Sequence, residues 1–257
     1  MNRPTYQRMA DDLRRQILQG ELPARSRVPS RARLSKQYGV SDRVAVEAVR
    51  VLAAEGFVEG RPGSGTYVRD RPAIRRLRRE NPAGRGEGAA FTAALAAHGR
   101  TGDWWASSES TTATPAVAER LAVDPGAEVV RTNYVCLDDD EPGMLMTSWE
   151  PLAITDGTSI TFPEKGPYGG CGVAERMAAI GITVTGVTEI VTGRPVLDGE
   201  AHLLDLPRGA IVIVVRRTCL AGDRPVETAD IVVPADRYEF CYELPVPPVV
   251  RAGADDR

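Results

Sequence analysis

Residues that build metal centres and catalytic sites are scarce in this sequence of 257 residues. It contains two histidines and four cysteines, and the cysteines are widely spaced with no Cys-x-x-Cys pair. A structural zinc site needs clustered Cys and His ligands, so we predict reduced thiols, no metal and no cofactor. His98 and His202 are isolated from other catalytic residue types. The sequence therefore predicts no catalytic residues.

Long hydrophobic runs are absent as well. No run of about 18 apolar residues, the length that crosses a bilayer as a helix, occurs anywhere in the chain. Residues 1–20 are charged and amphipathic, whereas a signal peptide has an apolar central region. We therefore expect a cytoplasmic protein without a membrane partner.

The net charge of -3 conceals a strong asymmetry between the two ends of the chain. Residues 1–80 contain 18 Arg or Lys against 9 Asp or Glu, whereas residues 81–257 contain 14 against 26. A small basic module joined to a larger acidic one is typical of a DNA-binding domain that carries a second, non-DNA-binding domain.

A stretch near the N-terminus has the pattern of two short helices and a hairpin. Ser30 and Ser41 are suited to cap helix N-termini, and Gly39 and Gly56 fit just past helix ends. Helix, three-residue turn and helix is the spacing of a helix-turn-helix, whose second helix enters the DNA major groove. Residues 57–68 then predict two strands joined by a Gly/Pro turn, which makes the motif winged.

One face of the second of these helices carries residues that are suited to read bases. Arg43 is positioned for a bidentate contact to guanine, Glu47 for accepting a hydrogen bond from cytosine, and Val44 for contact with a thymine methyl. Arg50 lies on the same face as Arg43, two helical turns further on. An ordinary solvated face is the alternative interpretation of this charged stripe.

Other residues are suited to the phosphate backbone and the minor groove. Three of them lie near helix N-termini, where phosphate contacts set the register: Arg31, Arg33 and Ser41. In the wing, Arg61 and the tip with Ser64 and Gly65 are expected to approach the minor groove, since glycine lets the backbone come close. A tight turn alone is the alternative. Asp42 is interpreted as favouring a helix N-terminus, with a base contact as the alternative.

Several short motifs follow one another in order along the first 70 residues. They are Leu-Pro-Ala…Val-Pro-Ser, Tyr-Gly-Val-Ser, Glu-Gly-Phe-Val and Gly-Ser-Gly-Thr-Tyr-Val. This region resembles the winged helix-turn-helix domain of the GntR family of bacterial repressors. The chain departs from the family at Ser41-Asp-Arg-Val-Ala-Val46, where the family commonly has Ser-Arg-x-Thr-Val-Arg. The resemblance implies a homodimer on a palindromic double-stranded DNA operator. Because of this departure, the family's usual operator sequence is not assumed for this chain.

An internal repeat occupies much of the second half at a fixed offset of 83 residues. Nine residues recur: Ala118, Leu121, Gly126, Ala127, Val129, Cys136, Leu137, Asp140 and Pro142 match Ala201, Leu204, Gly209, Ala210, Val212, Cys219, Leu220, Asp223 and Pro225. Each copy predicts a helix (115–121 or 199–205), a strand, an Asp-x-Pro turn and a further strand (144–152 or 226–233). The repeat predicts an α+β domain with two-fold pseudo-symmetry.

Further matching segments include residues 121–126, 172–182, 204–217 and 224–240. This half resembles the effector-sensing UTRA domain of the HutC-type subfamily of GntR regulators. The resemblance implies an antiparallel sheet with flanking helices, similar to chorismate lyase. We therefore expect four segments: a DNA-binding domain at 1–70, a linker at 71–90, an effector-binding and dimerisation domain at 91–246, and a disordered tail at 247–257.

The resemblance also implies a ligand cleft. The residues expected to form it are Arg131, Asn133, Met146, Trp149, Cys171, Gly172, Glu227 and Tyr238. A buried arginine beside a helix N-terminus makes an anion site. However, Asn133 and Met146 stand where sugar-phosphate sensors have Arg and Glu, and Trp149 adds apolar surface. These differences favour an apolar or aromatic metabolite, whereas packing of Met146 and Trp149 within the sheet is the alternative.

Three functions are compatible with this organisation. The first is a dimeric repressor that a small-molecule effector releases from DNA by changing the spacing or orientation of its two winged helices. The second is a metabolite-independent repressor of the transfer or copy-control genes of a mobile element. The third is a lyase-type enzyme of the chorismate lyase fold, which the lack of a nucleophile–base arrangement disfavours.

Overall fold

The computed structural model describes residues 4–69, 74–79, 83–84 and 86–244, and the chain divides into two compact units, Met1–Pro72 and Ala73–Arg257. The tail predicted at 247–257 lies outside the described residues. No helix in the described part of the chain is long and apolar enough to cross a membrane.

The first unit is a winged helix-turn-helix of three helices and a hairpin: α1 (Thr5–Leu18), α2 (Arg31–Tyr38), α3 (Asp42–Ala54), β1 (Val58–Arg61) and β2 (Gly65–Val68). The predicted caps are present. The Ser30 Oγ accepts a hydrogen bond from the Arg33 amide at 3.4 Å, and α2 ends at Gly39, whose φ is 61°. The Ser41 Oγ likewise accepts from the Val44 amide at 3.5 Å. Polar caps of this kind replace hydrogen bonds that the first helical turn lacks.

Small and aliphatic side chains form the core of this unit. The buried members come from all three helices, the connector before α2 and the hairpin: Met9, Ala10, Leu13, Val28, Leu34, Ala45, Ala48, Leu52, Val58 and Val68. The segment before α2 runs beside the wing, where the Val28 amide donates to the Thr66 carbonyl and the Val68 amide donates to the Ser26 carbonyl, both at 2.9 Å. The Pro-containing connector therefore anchors the wing to the helices.

The second unit is built on a six-stranded antiparallel sheet in the order β4-β5-β6-β9-β8-β7. The strands of the unit are β3 (Arg75–Arg78), β4 (Gly102–Thr112), β5 (Glu128–Asp138), β6 (Glu141–Pro151), β7 (Gly186–Pro195), β8 (Ile211–Ala221), β9 (Arg224–Pro234) and β10 (Tyr238–Cys241). Its helices are α4 (Glu87–Ala96), α5 (Pro115–Leu121), α6 (Leu152–Thr155), α7 (Val173–Ala179) and α8 (Asp198–Leu203), with a 3-10 turn at Gly166–Tyr168. The expected α+β class is confirmed.

The internal repeat is visible in the strand boundaries. Adding the offset of 83 to the limits of β5 gives the limits of β8, and the same holds for β6 and β9. Both copies also shift register at the same point, between Cys136 and Leu137 and between Cys219 and Leu220. The strand order reads the same from both edges, with β6 and β9 at the centre. The predicted pseudo-symmetry is confirmed, and both repeated cysteines are buried.

The segment predicted as a linker needs correction. Within 71–90, β3 pairs in parallel with β10, and α4 begins at Glu87. Leu77 is only 5% exposed and packs with Phe91 in the largest apolar cluster of the unit. A single apolar residue among arginines gives no local strand pattern, and its partner strand lies some 160 residues away along the chain. The described part of this range therefore belongs to the sheet unit.

The two faces of the six-stranded sheet have different neighbours. On one face, side chains of β5, β6, β8 and β9 pack with Phe91 and Leu95 of α4 and with Val173 and Met177 of α7; we call this the cavity face. The opposite face is covered by α5 and by the chain around α8. Because side chains alternate along a strand, a shift of one residue moves a side chain from one face to the other.

Candidate functional sites

The predicted reading face of α3 is exposed. Arg43, Val46 and Arg50 point to solvent, whereas Ala45 and Ala48 on the other side are fully buried. The Arg50 side chain is 78% exposed and lies 3.5 Å from the Glu47 carboxylate, an ion pair that contributes little to stability at such exposure. Val44 is half-buried. The helix thus presents two arginines, one carboxylate and one aliphatic side chain on a single exposed stripe.

Asp42 connects the two helices of the helix-turn-helix. The Ser35 Oγ donates a hydrogen bond to Asp42 Oδ1 at 2.6 Å, and the Arg31 Nε lies 3.4 Å from Asp42 Oδ2. Asp42 therefore sits at the N-terminus of α3, as expected, but its carboxylate is held by α2. Arg31, Arg33 and Ser41 remain exposed along the same edge of the unit, which is compatible with the phosphate contacts expected of them.

The wing is stiffened by its own side chains. The Arg61 guanidinium lies 4.5 Å from the centroid of the Tyr67 ring and 3.0 Å from the Glu59 carboxylate. At the tip, the Ser64 and Tyr67 hydroxyls are 2.7 Å apart. Gly65 has a φ of +116°, and a Cβ there would lie 2.8 Å from the Arg27 Nε. Arg61, Ser64 and Gly65 therefore form one ordered tip. Glycine is favoured at position 65 because its φ is positive and a Cβ there would lie too close to Arg27.

Three of the expected effector residues come together at a small cavity, and a fourth adjoins it. Met146 and Glu227 lie on the cavity face of the sheet, and Cys171 precedes Gly172, the N-cap of α7. The remaining wall residues are Gly86, Glu87, Tyr134, Ser148, Glu150, Val173, Arg176 and Arg217. The cavity volume is about 20 Å³, which is room for about one water molecule.

The structure does not bring Arg131, Asn133 and Trp149 to this cavity, so the residues expected to form the cleft do not lie together on one face of the sheet. Arg131 pairs with Trp149 across β5 and β6, and Asn133 pairs with Thr147, which places all three side chains on the opposite face of the sheet. The Arg131 side chain is 42% exposed and bonds to Glu109. Trp149 packs against the α5 cluster. The neighbouring Thr132 and Tyr134 occupy the cavity face of β5 instead, a displacement of one residue.

Tyr238 also lies outside the cavity wall. Its hydroxyl donates to Asp138 Oδ2 at 2.7 Å, and its ring packs 5.6 Å from that of Phe91. Asp138 receives further contacts from Arg75 at 2.8 Å and from Arg100. Tyr238 therefore joins β10 to the end of β5, and its contacts in this structure are packing and hydrogen bonding.

Four charged residues that line the cavity were missed by sequence reasoning: Glu87, Glu150, Arg176 and Arg217. The Arg217 Nη2 donates to Glu227 Oε1 at 2.8 Å, and its Nη1 bonds to Glu87. The signal for Arg217 was present, because it interrupts the apolar run of β8 and a charge in a buried strand is paired or functional. Glu150 and Glu87 carried no comparable pattern.

Burial dominates the electrostatics of these groups. Burial raises the pKa of the Glu150 carboxyl, and the opposing effect of the Arg176 guanidinium, which bonds to it, does not cancel the rise. Burial lowers the pKa of Arg217, but the carboxylates of Glu227 and Glu87 outweigh it and leave that pKa raised. Glu150 Oε2 and Glu227 Oε2 are buried without a hydrogen-bond partner. Within the described residues, no group of three or more His, Cys, Asp or Glu could hold a metal ion.

Known proteins resemble the chain over both units. Residues 5–68 match the family of bacterial regulatory proteins named gntR, and residues 97–239 match the UTRA domain. A crystal structure of a protein assigned to the GntR family of transcriptional regulators is 51% identical, with a TM-score of 0.80, over 95% of this chain and 99% of that one. An uncharacterized HTH-type transcriptional regulator of Streptomyces coelicolor is 28% identical over 98% of this chain and 97% of its own length. The histidine utilization repressor of Pseudomonas putida is 26% identical over 92% and 90%.

Proposed function

We propose that this chain, which belongs to the GntR family of bacterial regulatory proteins and carries a UTRA domain, is a transcriptional repressor. A small-molecule effector releases it from DNA. The observation that carries the DNA-binding part is the exposed stripe of Arg43, Val46 and Arg50 on α3, whose other face is fully buried. A recognition helix needs this arrangement, since its base-reading side chains must reach the major groove while the helix stays packed. Repression is supported by the relative from Pseudomonas putida, which is a histidine utilization repressor.

The contacts to DNA follow from the positions of the side chains. Arg43 recognises guanine, and Glu47 and Val44 contact neighbouring bases. The residues that bind phosphate are Arg31, Arg33 and Ser41. Arg50, Arg61 and the Ser64–Gly65 tip extend the interface along the helix and the wing. A homodimer in the cytoplasm would present two such surfaces to a palindromic operator.

The effector binds, in this proposal, at the cavity between the sheet, α4 and α7. Its support is the buried polar wall, because unpaired acceptors inside a protein are costly and mark sites that bind ligands. Effector binding changes the affinity for DNA only to the extent that it favours one conformation over the other. The alternative of a metabolite-independent repressor of a mobile element is not supported by the relatives.

A footprint tests the DNA-binding proposal directly. Purified full-length protein is incubated with labelled DNA from the region upstream of its own coding sequence, with an unrelated fragment of equal length as the control. We expect a protected site with dyad symmetry and an affinity at least about 1,000-fold above that for the control fragment. No protection at low salt would overturn the proposal, because low salt favours every protein–phosphate contact.

A further inference from the structure

The cavity wall holds more carboxylates than guanidiniums. Glu87, Glu150 and Glu227 face Arg176 and Arg217. Arg79, which adjoins the cavity, does not offset this excess of carboxyl groups. It bonds to Glu87 at 2.9 Å and also to a further carboxylate, that of Glu189. One chain of ion pairs therefore joins three carboxyl groups to two guanidiniums, and Glu150 with Arg176 forms a separate pair beside it, which gives four carboxyl groups to three guanidiniums in all.

The two arginines of the cavity wall are bound by groups of the protein itself. Arg217 bonds to both Glu87 and Glu227, and Arg176 bonds to Glu150 and to the Ile160 carbonyl at 3.3 Å. To bind these guanidiniums, an anionic ligand would have to replace the buried carboxylates that already form ion pairs with them. In an interior of low dielectric, the displaced carboxylates would also repel the anion. The arginines are thus poorly suited to hold a phosphate or a carboxylate.

Two of the carboxyl groups that line the cavity, those of Glu150 and Glu227, occupy neighbouring positions. Burial raises the pKa of Glu150, and a cation bound beside it would favour its ionised form. Trp149 of β6 pairs with Thr228 of β9, so Glu150 and Glu227 adjoin the last pair of this ladder, and both line the cavity. The charge of Glu227 adds to the rise in the pKa of Glu150, as expected for like charges that are close together. Glu150 is 1% exposed and Glu227 is 0% exposed, and each has an Oε2 atom without a hydrogen-bond partner. Each group accepts from an arginine through Oε1, and the Cys219 thiol also hydrogen-bonds to Glu227, but the two Oε2 atoms have room for further donors.

We infer that this cavity binds a cationic effector, a small molecule whose ammonium or amidinium group donates hydrogen bonds to Glu150 and Glu227. The inference rests on the proposed function, since it names the chemical class of the effector for the same site. The Tyr134 ring and Met146 give the wall an apolar side next to the two carboxylates, which suits the carbon skeleton of an organic cation. The present volume admits only an ammonium group, so an amidinium or a longer molecule requires the segment around Cys171 to move away from Gly86.

Matched pairs of probes test the charge of the ligand on the full-length protein. Methylammonium, putrescine, agmatine and tyramine are compared with formate, succinate, glucose 6-phosphate and 3-(4-hydroxyphenyl)propionate at 10 mM and equal ionic strength. We expect at least one amine to raise the melting temperature of the protein above the value with its anionic counterpart, since a ligand stabilises the state that it binds. If no amine stabilises the protein more than the anions do, the inference is wrong.

Isosteric variants locate the effect. Glu150→Gln and Glu227→Gln keep the size of the side chain but remove its charge, and each should weaken amine binding at least tenfold by calorimetry. Glu109→Gln, on the opposite face of the sheet, is the matched control and should leave binding unchanged. If the control loses as much amine affinity as the cavity variants, or if neither cavity variant loses affinity, the cation does not bind at this site.

The operator complex separates the two proposals. A bound amine should dissociate the protein from its footprinted site, measured by fluorescence anisotropy. Dissociation by an anion, with none by an amine, would overturn the cationic effector and leave the repressor proposal standing. If no footprint is found, the repressor proposal is overturned. Calorimetry then still tests whether the cavity binds an amine, because that measurement needs no DNA.

Discussion

The hydroxyl of Ser35 donates a 2.6 Å hydrogen bond to the carboxylate of Asp42, and this contact joins α2 to the first residue of α3. The Arg31 Nε lies 3.4 Å from the other carboxylate oxygen. A carboxylate at this edge faces the side on which DNA phosphates are proposed to lie, so it opposes non-specific binding while it fixes the angle between the two helices. Asp42 is therefore a candidate determinant of specificity through position and charge.

Replacing Asp42 by alanine should lower the preference for the operator. The change removes one negative charge, which strengthens binding to any DNA, and one hydrogen bond to a charged group, whose loss costs about 1 kcal/mol of stability at this exposure. Anisotropy titrations on operator and unrelated DNA should give a specificity ratio several-fold below that of the unaltered protein. Ser35→Ala removes the same hydrogen bond without changing the charge, and should leave non-specific affinity unchanged. An unaltered ratio in Asp42→Ala would contradict this role.

Replacing Arg43 by alanine should weaken operator binding by about 1–3 kcal/mol, or about fivefold to 150-fold, because a bidentate contact to one base is lost. Preference at a single position of the operator should relax, as measured with a set of operators substituted one base pair at a time. Arg208→Ala removes another exposed arginine, one that lies in the sheet unit, and serves as the charge-matched control. Equal affinities for the Arg43 variant and this control would exclude Arg43 from the reading face.

Replacing Gly65 by alanine should destabilise the wing. Its φ of +116° is one that residues with a side chain rarely adopt, and the new Cβ would also displace the Arg27 guanidinium. A strained backbone of this kind costs about 1–3 kcal/mol. Gly63→Ala is the comparison, since its φ is +70° and nothing lies within 4 Å of its Cβ position. Amide hydrogen exchange at Val28 and Val68 should accelerate more in Gly65→Ala than in Gly63→Ala; the reverse order would refute the strain argument.

Much of the fold was predictable from local pattern. Helix caps at Ser30 and Ser41, the glycine-tipped wing and the repeat all depend on residues close in sequence, or on identities at one fixed offset. The strand formed by residues 75–78 was not predictable in this way, because its stability depends on Leu77 meeting a distant apolar cluster and on pairing with residues 238–241.

The cavity was predictable only in part. Glu227 and Cys171 line it, whereas Arg131 and Asn133 lie on the opposite face of the sheet, because a strand displaced by one residue exchanges its two faces. Resemblance to a family fixes which strand forms a site more reliably than which side chain of that strand enters it. The burial of Arg176 and Glu150 depends on α7 packing over β6 and leaves no mark in the local sequence.

Replacing Arg131 by alanine should leave effector binding intact. Its guanidinium bonds to Glu109 on the face opposite the cavity and is partly exposed, so its removal costs less than about 1 kcal/mol of stability. Release from the operator by an effector should occur at the same concentration as in the unaltered protein. Loss of release with unchanged operator affinity would show that the effector binds on the α5 side of the sheet.

Replacing Glu150 by glutamine should remove a pH-dependent component of stability. Burial raises the pKa of Glu150 above its usual 4.5, so between that value and the raised one the folded chain holds a proton that the unfolded chain has released. Stability must therefore fall as pH rises through this window, by at most about 1.4 kcal/mol per pH unit. The charged groups that face Glu150 are Arg176, Arg217 and Glu227, which the substitution leaves in place.

All three tryptophans, Trp104, Trp105 and Trp149, lie in the second unit, so their fluorescence reports its unfolding in urea. Measured from pH 5 to pH 8, the free energy of unfolding of Glu150→Gln should rise relative to that of the unaltered protein as pH increases. Glu109→Gln, whose carboxylate is exposed, should follow the unaltered protein. Parallel curves for all three proteins would mean that Glu150 is ionised throughout the range, and that its charge is balanced by Arg176 without a proton.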